Sequence, residues 1–317
     1  KYMYYMMFTM FMELNMITLY NTIKYIYTDD MNNYMMFKKN KTYSFNTDKE
    51  IKSIDYYKFS KFYTDNEDKF KDYMEQFFVG LLDGDGSITV DYMSLNKKRV
   101  RIVIALNNLE ENHIMMDYTV KYIGGRKAVE RKDKYVTWYC TSRTETNKVL
   151  IMLGKYPTLT SSKTCQLKFA KLFIDNIDNK ELGKLEFERL RSNKYEKQDV
   201  MINKYNNSIE LPSYYSSWLS GFMEAEGHFK LMKSTTNGIH TSQFVMGQNY
   251  DKYMLNYMLQ YFNSNSKVSI AMNKSGIDYY KIHLSNKILR ERLFDHFDKY
   301  PLLGYKNSQY HYWKNNH

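Results

Sequence analysis

The sequence has few of the residues that build metal centres and covalent cross-links. Only two of its 317 residues are cysteines, Cys140 and Cys165, which excludes a disulfide framework and a cysteine-based zinc site. Its seven histidines are scattered and form no His-x-x-x-His pair, so a zinc nuclease is not expected. Glu13, Asn15 and Lys24 interrupt the apolar stretch near the start, which leaves no unbroken run of about 18 apolar residues. We therefore expect neither a zinc centre nor a membrane span.

Positive charge, aromatic residues and methionine are abundant instead. The 46 Lys and Arg exceed the 35 Asp and Glu by enough to give a net charge of +11. Such an excess indicates a polyanionic partner, nucleic acid or an acidic membrane face, and a solvated basic surface is the alternative. The 32 Tyr, 18 Phe and 21 Met are typical of A/T-rich codons and of a code that reads AUA as methionine. This composition predicts a yeast-like mitochondrial reading frame and a product that stays in the mitochondrial matrix without an import signal.

The chain divides into four predicted stretches. Residues 1–69 form an N-terminal extension that we expect to be partly helical or loosely ordered. Residues 70–178 and 213–317 form two related domains, and residues 179–212 form a charged linker between them. Its alternating charges indicate a solvated helix or an extended linker rather than part of a core.

An internal duplication supports this division. A shift of 141 residues superposes the two domains at several positions in the same order. The superposed pairs are Gly80 with Gly221, Asp85 with Glu226, Gly86 with Gly227, Asn107 with Gln248, and Trp138-Tyr139 with Tyr279-Tyr280. With a short gap, KYPTLTSSK also aligns with KYPLLGYK. Matches in order at this number of positions indicate a duplicated domain.

Hydrophobic spacing predicts the same order of elements in each domain. Helical spacing covers roughly 70–84 and 213–225, and strand-like runs, a second helix, a second hairpin and further helices follow each. The predicted fold is α+β, αββαββα twice, with helices on one face of antiparallel sheets. We expect Gly86 and Gly227 to end the first helices in a left-handed conformation.

Two nonamers, FVGLLDGDG (78–86) and LSGFMEAEG (219–227), begin the two domains. Each carries small residues four apart, which are Gly80 and Gly84, then Gly221 and Ala225. Stripes of this kind let two helices approach until their backbones nearly touch. We predict that the two helices pack on each other, although a single stripe would also suit ordinary core packing.

This pairing would bring two carboxylates together. Asp85 and Glu226 each fall on the last turn of their helix, where the partial negative charge of the helix end adds to their own. Crowded carboxylates hold a proton or a hard divalent cation, and Mg²⁺ fits best. Metal ions shared by two acids beside phosphate are suited to phosphodiester hydrolysis. The alternative is that each acid only bonds a neighbouring amide at the helix end.

The two nonamers resemble the double LAGLIDADG motif of homing endonucleases and of the related group I intron maturases. The resemblance covers about residues 70–317 and implies two pseudo-twofold-related domains whose sheets form a saddle over DNA. It also implies that Asp85 and Glu226 are the metal-binding catalytic acids, assisted by the backbone carbonyls of Gly84 and Ala225.

The same resemblance implies roles for residues outside the acids. Asp83 and Glu224 would cap or brace the helix pair. Lys163 and Lys306 would be basic residues near each site, with a surface phosphate contact as the alternative. The water-organising polar residue at the end of the second strand would be Gln248 in the second domain and Asn107 in the first.

The basic hairpins and the outward residues of the expected saddle are the predicted nucleic-acid contacts. They are Ser87, Thr89, Asn96, Lys97, Lys98, Arg99, Arg101, Arg126, Arg131, Lys132, Lys134, Thr137, Lys230, Lys233, Gln243, Lys274 and Lys281.

Three functions fit this sequence. The first is a Mg²⁺-dependent endonuclease that cuts both strands of a long mitochondrial DNA site and acts as a monomer. The second is a maturase that binds its group I intron RNA, alone or in addition to cleavage, with a possible nuclear-encoded splicing helper as a partner. The third is a DNA-binding regulator without catalysis.

Overall fold

The computed structural model describes residues 66–174, 182–206, 210–233, 240–272 and 278–316. All of them belong to one compact unit that spans residues 55–317. The interpretation of the N-terminal extension therefore lies almost wholly outside the described residues. Within the described ranges, no helix is both long enough and apolar enough to cross a membrane.

The first half follows the predicted order of elements. Its elements are α1 Glu67–Asp85, β1 Gly86–Ser94, β2 Lys97–Asn107, α2 Glu110–Ile123, β3 Arg126–Glu130, β4 Tyr135–Cys140, α3 Arg143–Lys155 and α4 Ser161–Lys171. The four strands form one antiparallel sheet in the order β1-β2-β4-β3. Alternate residues of β2, such as Ile102 and Ile104, are fully buried against the helices.

The second half repeats this arrangement. Its elements are α7 Tyr215–Glu226, β5 His228–Lys233, β6 His240–Asn249, α8 Lys252–Tyr261, β7 Ser269–Met272, β8 Asp278–Leu284, α9 Lys287–Lys299 and α10 Tyr305–Asn315. The sheet order is β5-β6-β8-β7, again antiparallel. The predicted αββαββα repeat is confirmed in both halves.

The glycines that end α1 and α7 are not in the predicted left-handed conformation. Gly86 has φ −81° and ψ 166°, and Gly227 has φ −71° and ψ 144°, so both are extended and enter the following strand directly. Their small size is what the fold uses, because a Cβ on Gly86 would lie 2.5 Å from the carbonyl oxygen of Leu82. On Gly227 it would lie 2.6 Å from the carbonyl oxygen of Met223. Close approach of the backbone, not a positive φ, explains these glycines.

The segment between the two halves is helical, as predicted, but it is not wholly solvated. It contains α5 Lys184–Ser192 and α6 Gln198–Asn206. Phe187 on α5 is fully buried and contacts the rings of Tyr92, Phe169 and Phe173. The alternating charges of the segment gave no indication that this ring is buried. Its contacts pack α5 onto the first half.

A buried histidine gives a prediction for stability. His296 on α9 is 4% exposed, with Nε2 2.9 Å from the Ser220 hydroxyl and Nδ1 3.0 Å from that of Tyr261. Burial lowers the pKa of His296 to about 3. The unfolded chain takes up this proton below pH of about 6.5, so His296 alone should lower the free energy of unfolding by about 2 kcal/mol between pH 7.5 and 5, whereas buried carboxyl groups with raised pKa values contribute in the opposite direction.

Urea unfolding of the wild type and of His296→Gln at the two pH values measures this contribution as the difference between the two proteins. His296→Gln removes the titrating group and should remove that part of the pH dependence, at the cost of lower stability at both values. An equal pH dependence in the two proteins would contradict the assignment.

Candidate active site and DNA-facing surface

Helices α1 and α7 contact each other through their backbones. A Cβ on Gly80 would lie 1.8 Å from the carbonyl oxygen of Trp218, and one on Gly221 would lie 1.8 Å from that of Phe77. One turn further along, a Cβ on Gly84 would lie 2.3 Å from the Cβ of Ala225. The small residues are therefore the contact itself, and the C-terminal ends of the two helices lie side by side.

The two acids end these helices. Asp85 is exposed and is the last residue of α1, and Glu226 is the last residue of α7. Burial, and next the charge of Asp85, raises the pKa of Glu226 to about 7, whereas Lys163 and Lys306 act in the opposite direction. The two carboxylates are thus close enough to repel each other electrostatically. A bound cation would relieve this repulsion.

The donors at this point suit a hard divalent cation. They are carboxylate oxygens, together with carbonyl groups from the last helical turns, where a helix has no further N–H donors of its own. In the described part of the chain, no group of three or more His, Cys, Asp or Glu could hold a metal ion. An ion held by Asp85 and Glu226 would need its other ligands from backbone carbonyls, water or a bound phosphate.

Asp83 precedes Asp85 by two residues on α1 and links three elements. Its carboxylate accepts hydrogen bonds from the Leu159 N–H (2.8 Å), from the Thr160 N–H (3.2 Å) and hydroxyl (2.6 Å), and from the Trp218 indole (2.7 Å). Trp218 belongs to α7, and Thr160 is the N-cap of α4. Asp83 therefore joins the helix pair to the start of α4, which confirms its bracing role.

Glu224 does the same in the second half. Its carboxylate accepts hydrogen bonds from the backbone N–H groups of Leu303 (3.2 Å), Gly304 (3.1 Å) and Lys306 (3.0 Å) at the start of α10. Burial raises the pKa of Glu224 to about 7, although these bonds and the charge of Lys306 favour the ionised form. Each buried acid thus positions one of the helices that carry the predicted basic residues.

The structure brings both lysines to the acids. Lys163 on α4 is 8% exposed, and burial lowers its pKa. The charges of Asp83, Glu226, Asp85 and Asp251 act on it in the opposite direction. Lys306 on α10 is half-buried, and its charge lowers the pKa of Glu226. Lys163 is too deeply buried to be a surface phosphate contact.

Two cross-connections between the halves were not found from the sequence. Asp251, the N-cap of α8, accepts hydrogen bonds from the Ser161 N–H (2.9 Å) and hydroxyl (2.6 Å) at the start of α4. Asn112 on α2 accepts one from the Tyr305 N–H (3.0 Å) at the start of α10. Each half therefore supports the lysine-bearing helix of the other. The site near Lys163 has an acid in this place, and the site near Lys306 has a neutral amide.

The face of the first sheet opposite the helices carries many of the predicted DNA contacts. Thr89 on β1 pairs with Arg101 on β2, and Asp91 pairs with Arg99. The Asp91 carboxylate lies 2.9 Å from the Arg99 guanidinium and 3.7 Å from that of Arg101. Asp91 was not predicted here, and it holds both guanidinium groups in place on the exposed face.

Most of the other predicted contacts also lie on exposed surfaces or on this face of a sheet. Ser87 belongs to β1, Asn96 and Lys97 lie at the β1–β2 turn, Arg126, Arg131, Lys132 and Lys134 lie in the β3–β4 hairpin, and Lys230, Gln243 and Lys281 belong to the second sheet.

Four of the predicted contacts do not belong with this group. The Lys98 side chain lies on the helix-covered side, where its ammonium donates a hydrogen bond to the Leu182 carbonyl (2.9 Å). Thr137 is only 3% exposed, and its hydroxyl has no partner within the described residues. The side chain of Lys233 and the whole of Lys274 lie outside the described part of the chain. Strand alternation explains Lys98, since it is one residue out of step with Arg99.

Comparison with known proteins identifies the family. The family model described as LAGLIDADG endonuclease matches residues 78–173 and 219–317. This chain belongs to the LAGLIDADG endonuclease family. The matched ranges include both motifs and both sheets. The resemblance predicted from the two nonamers, and the endonuclease class that it implies, are confirmed.

Relatives are similar over three quarters of this LAGLIDADG chain. A probable intron-encoded endonuclease aI3 of Debaryomyces hansenii is 31% identical over 263 residues, 75% of this chain and 37% of the relative. One of the same name from Dictyostelium citrinum is 31% identical over 246 residues, 76% of this chain and 94% of the relative. The chain therefore spans a little over a third of the first relative and nearly all of the second.

Solved LAGLIDADG structures show the same fold. The meganuclease I-CpaMI bound to uncleaved DNA has a TM-score of 0.58 at 19% identity and covers 76% of this chain and 90% of that one. I-AabMI, also bound to uncleaved DNA, has a TM-score of 0.58 at 21% identity, over 76% and 89%. The predicted fold of two related domains with antiparallel sheets is confirmed.

The sheet registers change one correspondence between the LAGLIDADG repeats. Ser87 pairs with Val103, and His228, which lies 141 residues after Ser87, pairs with Val245, so the second strands are related by 142 residues and not by 141. Gln248 therefore corresponds to Leu106 and Asn107 to Asn249. Since successive strand residues face opposite sides, Asn107 and Gln248 lie on opposite faces of their sheets. The predicted equivalence of Asn107 and Gln248 is wrong.

The same registers correct the aromatic pair. Trp138 pairs with Ile104, and Ile282 pairs with Met246, so Trp138 corresponds to Ile282 and not to Tyr279. Extra residues in the second half shift the strands along the chain, which a single fixed offset does not reveal.

His228 is a LAGLIDADG-site residue that the sequence did not single out. It follows Gly227 directly and takes the place that Ser87 has in the first repeat. Part of the residue is exposed, but burial of the ring, and then the charges of Lys306, Lys230 and Lys281, lowers the pKa of His228 to about 4. A neutral imidazole two residues after Glu226 would have been found from the sequence only by comparing the residues that follow the two motifs.

Proposed function

We propose that this protein is an intron-encoded, site-specific DNA endonuclease that makes Mg²⁺-dependent double-strand cuts in a long mitochondrial DNA target. One observation carries the proposal. Asp85 and Glu226 are the last residues of two helices that contact each other. Lys163 and Lys306 lie on two other helices, and the charges of these lysines act on the Glu226 carboxylate. Two acids and two lysines thus lie together where α1 and α7 lead into the two sheets. This combination of charges is suited to the hydrolysis of a phosphodiester.

The residues of the chain have separate tasks in this centre. Asp85 and Glu226, with the carbonyls of Gly84 and Ala225, would hold Mg²⁺, which supplies charge neutralisation and a more acidic water. Lys163 and Lys306 stabilise negative charge that develops on the phosphate. Gln248 and Asn107 remain candidates for polar contacts at the strand ends, on opposite faces. The outward residues of both sheets position the DNA.

The target and the cellular location follow from the relatives and the composition. The relatives are named intron-encoded endonucleases, and one of them, from Schizosaccharomyces pombe, carries a Cox1 intron name. The A/T-rich composition and methionine excess favour a mitochondrial product that acts in the matrix. An intronless copy of the host gene is the corresponding target.

The duplicated chain supports action as a monomer. Residues 70–178 and 213–317 are the proposed domains, and residues 179–212 connect them. Each domain supplies one motif helix and one sheet, so a single chain provides both acids and both halves of the DNA-facing surface. Sedimentation of the protein as an obligate dimer would contradict this.

The test is cleavage of mitochondrial DNA that spans the insertion site of the encoding intron, with Mg²⁺. The wild type should give linear products, and removal of Mg²⁺ should abolish them. Asp85→Asn and Glu226→Gln should reduce the products to nicks or to nothing, with a loss of about 100-fold in rate, because each removes one charged ligand. Glu291→Gln, an exposed acid on α9, is the matched control and should cut like the wild type.

Two other outcomes would replace this proposal. No cutting by any variant, together with tight and saturable binding to the encoding intron's RNA, would indicate the maturase, and dependence on an added helper protein would extend it. Tight DNA binding by all variants without any nick would indicate a regulator. Cutting at the wild-type rate by both acid variants would show that the acids are not catalytic.

A further inference from the structure

A tyrosine hydroxyl lies over a glycine on the DNA-facing side of the second sheet. A Cβ on Gly247 would lie 2.0 Å from the Tyr279 hydroxyl oxygen and 2.4 Å from the ring carbon that bears it. Gly247 pairs with Lys281 across the β6–β8 ladder, and Tyr279 is two residues away on the same face. The phenol therefore leans along the strand and ends above position 247, where only a glycine leaves room for it.

This position is next to Glu226. His228, two residues after Glu226, pairs with Val245, two residues before Gly247, so Gly247 lies beyond the start of β5 on the side from which α7 enters the sheet. The charge of Glu226 acts on Tyr279, whose pKa is raised first by burial and then by this charge. The hydroxyl and the glycine therefore lie near the junction of α7 and β5, within electrostatic range of the Glu226 carboxylate.

The first half has no such arrangement, although it has a tyrosine at the corresponding position. By the sheet registers, Ala105 corresponds to Gly247 and Tyr135 to Tyr279. The methyl group of Ala105 occupies the space that the Tyr279 hydroxyl takes in the second half. The ring of Tyr135 instead lies 5.2 Å from the Arg131 guanidinium. The surroundings of Asp85 and Glu226 therefore differ by one alanine in place of one glycine.

We propose that the Tyr279 hydroxyl is an additional hydrogen-bond donor at the Glu226 centre, directed at the phosphate or water that this carboxylate serves, and that the Asp85 centre lacks it. This inference rests on the proposed endonuclease function and adds an asymmetry to it. Since the two acids sit in different surroundings, the two DNA strands are cut with different dependence on Tyr279. The difference lies in where the hydroxyl is placed, because Tyr135 carries the same hydroxyl group in the first half but has Ala105 instead of a glycine next to it.

The experiment compares Tyr279→Phe and Gly247→Ala with Tyr135→Phe on DNA labelled separately on each strand. Tyr279→Phe should slow cleavage of one strand about tenfold, so that nicked DNA accumulates, because a hydrogen bond to a charged group is lost. Gly247→Ala should have the same strand-specific effect, because its methyl group displaces the hydroxyl. Tyr135→Phe should cut both strands like the wild type. DNA affinity and the thermal midpoint should stay unchanged in Tyr279→Phe.

The outcomes separate this inference from the proposed function. A wild type that cuts neither strand overturns the endonuclease proposal and this inference with it. A wild type that cuts, with Tyr279→Phe cutting both strands at wild-type rates, overturns the inference alone. Equal slowing of both strands, or a loss of DNA affinity that accounts for the slower cleavage, also overturns it, since a packing role would act in that way.

Discussion

Replacing Gly221 by alanine is expected to prevent the protein from folding stably. The new Cβ would lie 1.8 Å from the carbonyl oxygen of Phe77 and 2.9 Å from the backbone nitrogen of Leu81. Both atoms belong to the backbone of α1, so no side chain can rotate away to make room. Helices α1 and α7 would have to separate, and the buried side chains along their contact would lose their partners. We expect a cost of about 4 kcal/mol or more.

Gly154→Ala is the matched control for this substitution. Gly154 lies in α3, is exposed, and a Cβ there would meet no atom within 4 Å. Because alanine has a higher helix propensity than glycine, this variant should gain about 0.5–1 kcal/mol in the free energy of unfolding. Urea unfolding followed by circular dichroism measures both. A Gly221→Ala protein that unfolds with the midpoint of the wild type would contradict the backbone contact between the helices.

The same glycines show how much of the fold the sequence predicts. Each half has apolar residues at helical or alternating spacing because one face of every element is buried, so element type and order follow from the pattern. The stripe of small residues predicts the helix pair, since the same four-residue spacing recurs in both motifs, as Gly80 and Gly84 and as Gly221 and Ala225. The conformation predicted for Gly86 was wrong. A glycine after a helix either adopts a positive φ or allows a close approach of the backbone, and the sequence does not distinguish these two cases.

The candidate site is predicted only in part, because some of its hydrogen bonds join residues that are far apart in the sequence. Asp85 and Glu226 are found because they end elements that the sequence itself defines. The hydrogen bonds from Ser161 to Asp251 and from Tyr305 to Asn112 join the two halves, and no local pattern records such a pair. The strand register has the same character. A shift of one residue exchanges the faces of a strand, and it depends on a hairpin whose length differs between the halves.

Phe187 and Asp91 illustrate the opposite difficulty, in which local composition gives the wrong environment. Phe187 is surrounded in the sequence by charges, yet it is fully buried, because its partners come from β1 and α4 and from the residue Phe173 beyond α4. Asp91 is an acid on a surface selected for its basic residues. It orients Arg99 and Arg101, and removing it would free both guanidinium groups rather than increase their charge.

The second large effect is expected at Asp83. Asp83→Asn keeps the shape of the side chain but replaces one carboxylate oxygen by an NH₂ group. Each oxygen accepts two hydrogen bonds, one from the Leu159 N–H and the Trp218 indole, the other from the Thr160 N–H and hydroxyl. In either orientation, the new NH₂ group faces a backbone N–H that cannot turn away. We expect a loss of about 3 kcal/mol, since buried donors remain unsatisfied and Lys163 loses the charge of one neighbouring acid.

Glu224→Gln is the internal comparison that makes this prediction sharp. One oxygen of Glu224 accepts two backbone N–H groups and the other accepts one, from Lys306. The glutamine can direct its NH₂ group at Lys306 and keep both other bonds, so its loss should be about 1 kcal/mol. Urea unfolding of the two variants at one pH measures the difference. Equal losses, or a larger loss for Glu224→Gln, would mean that Asp83 does not hold α1, α4 and α7 together, because its extra donors are the only reason for the expected order.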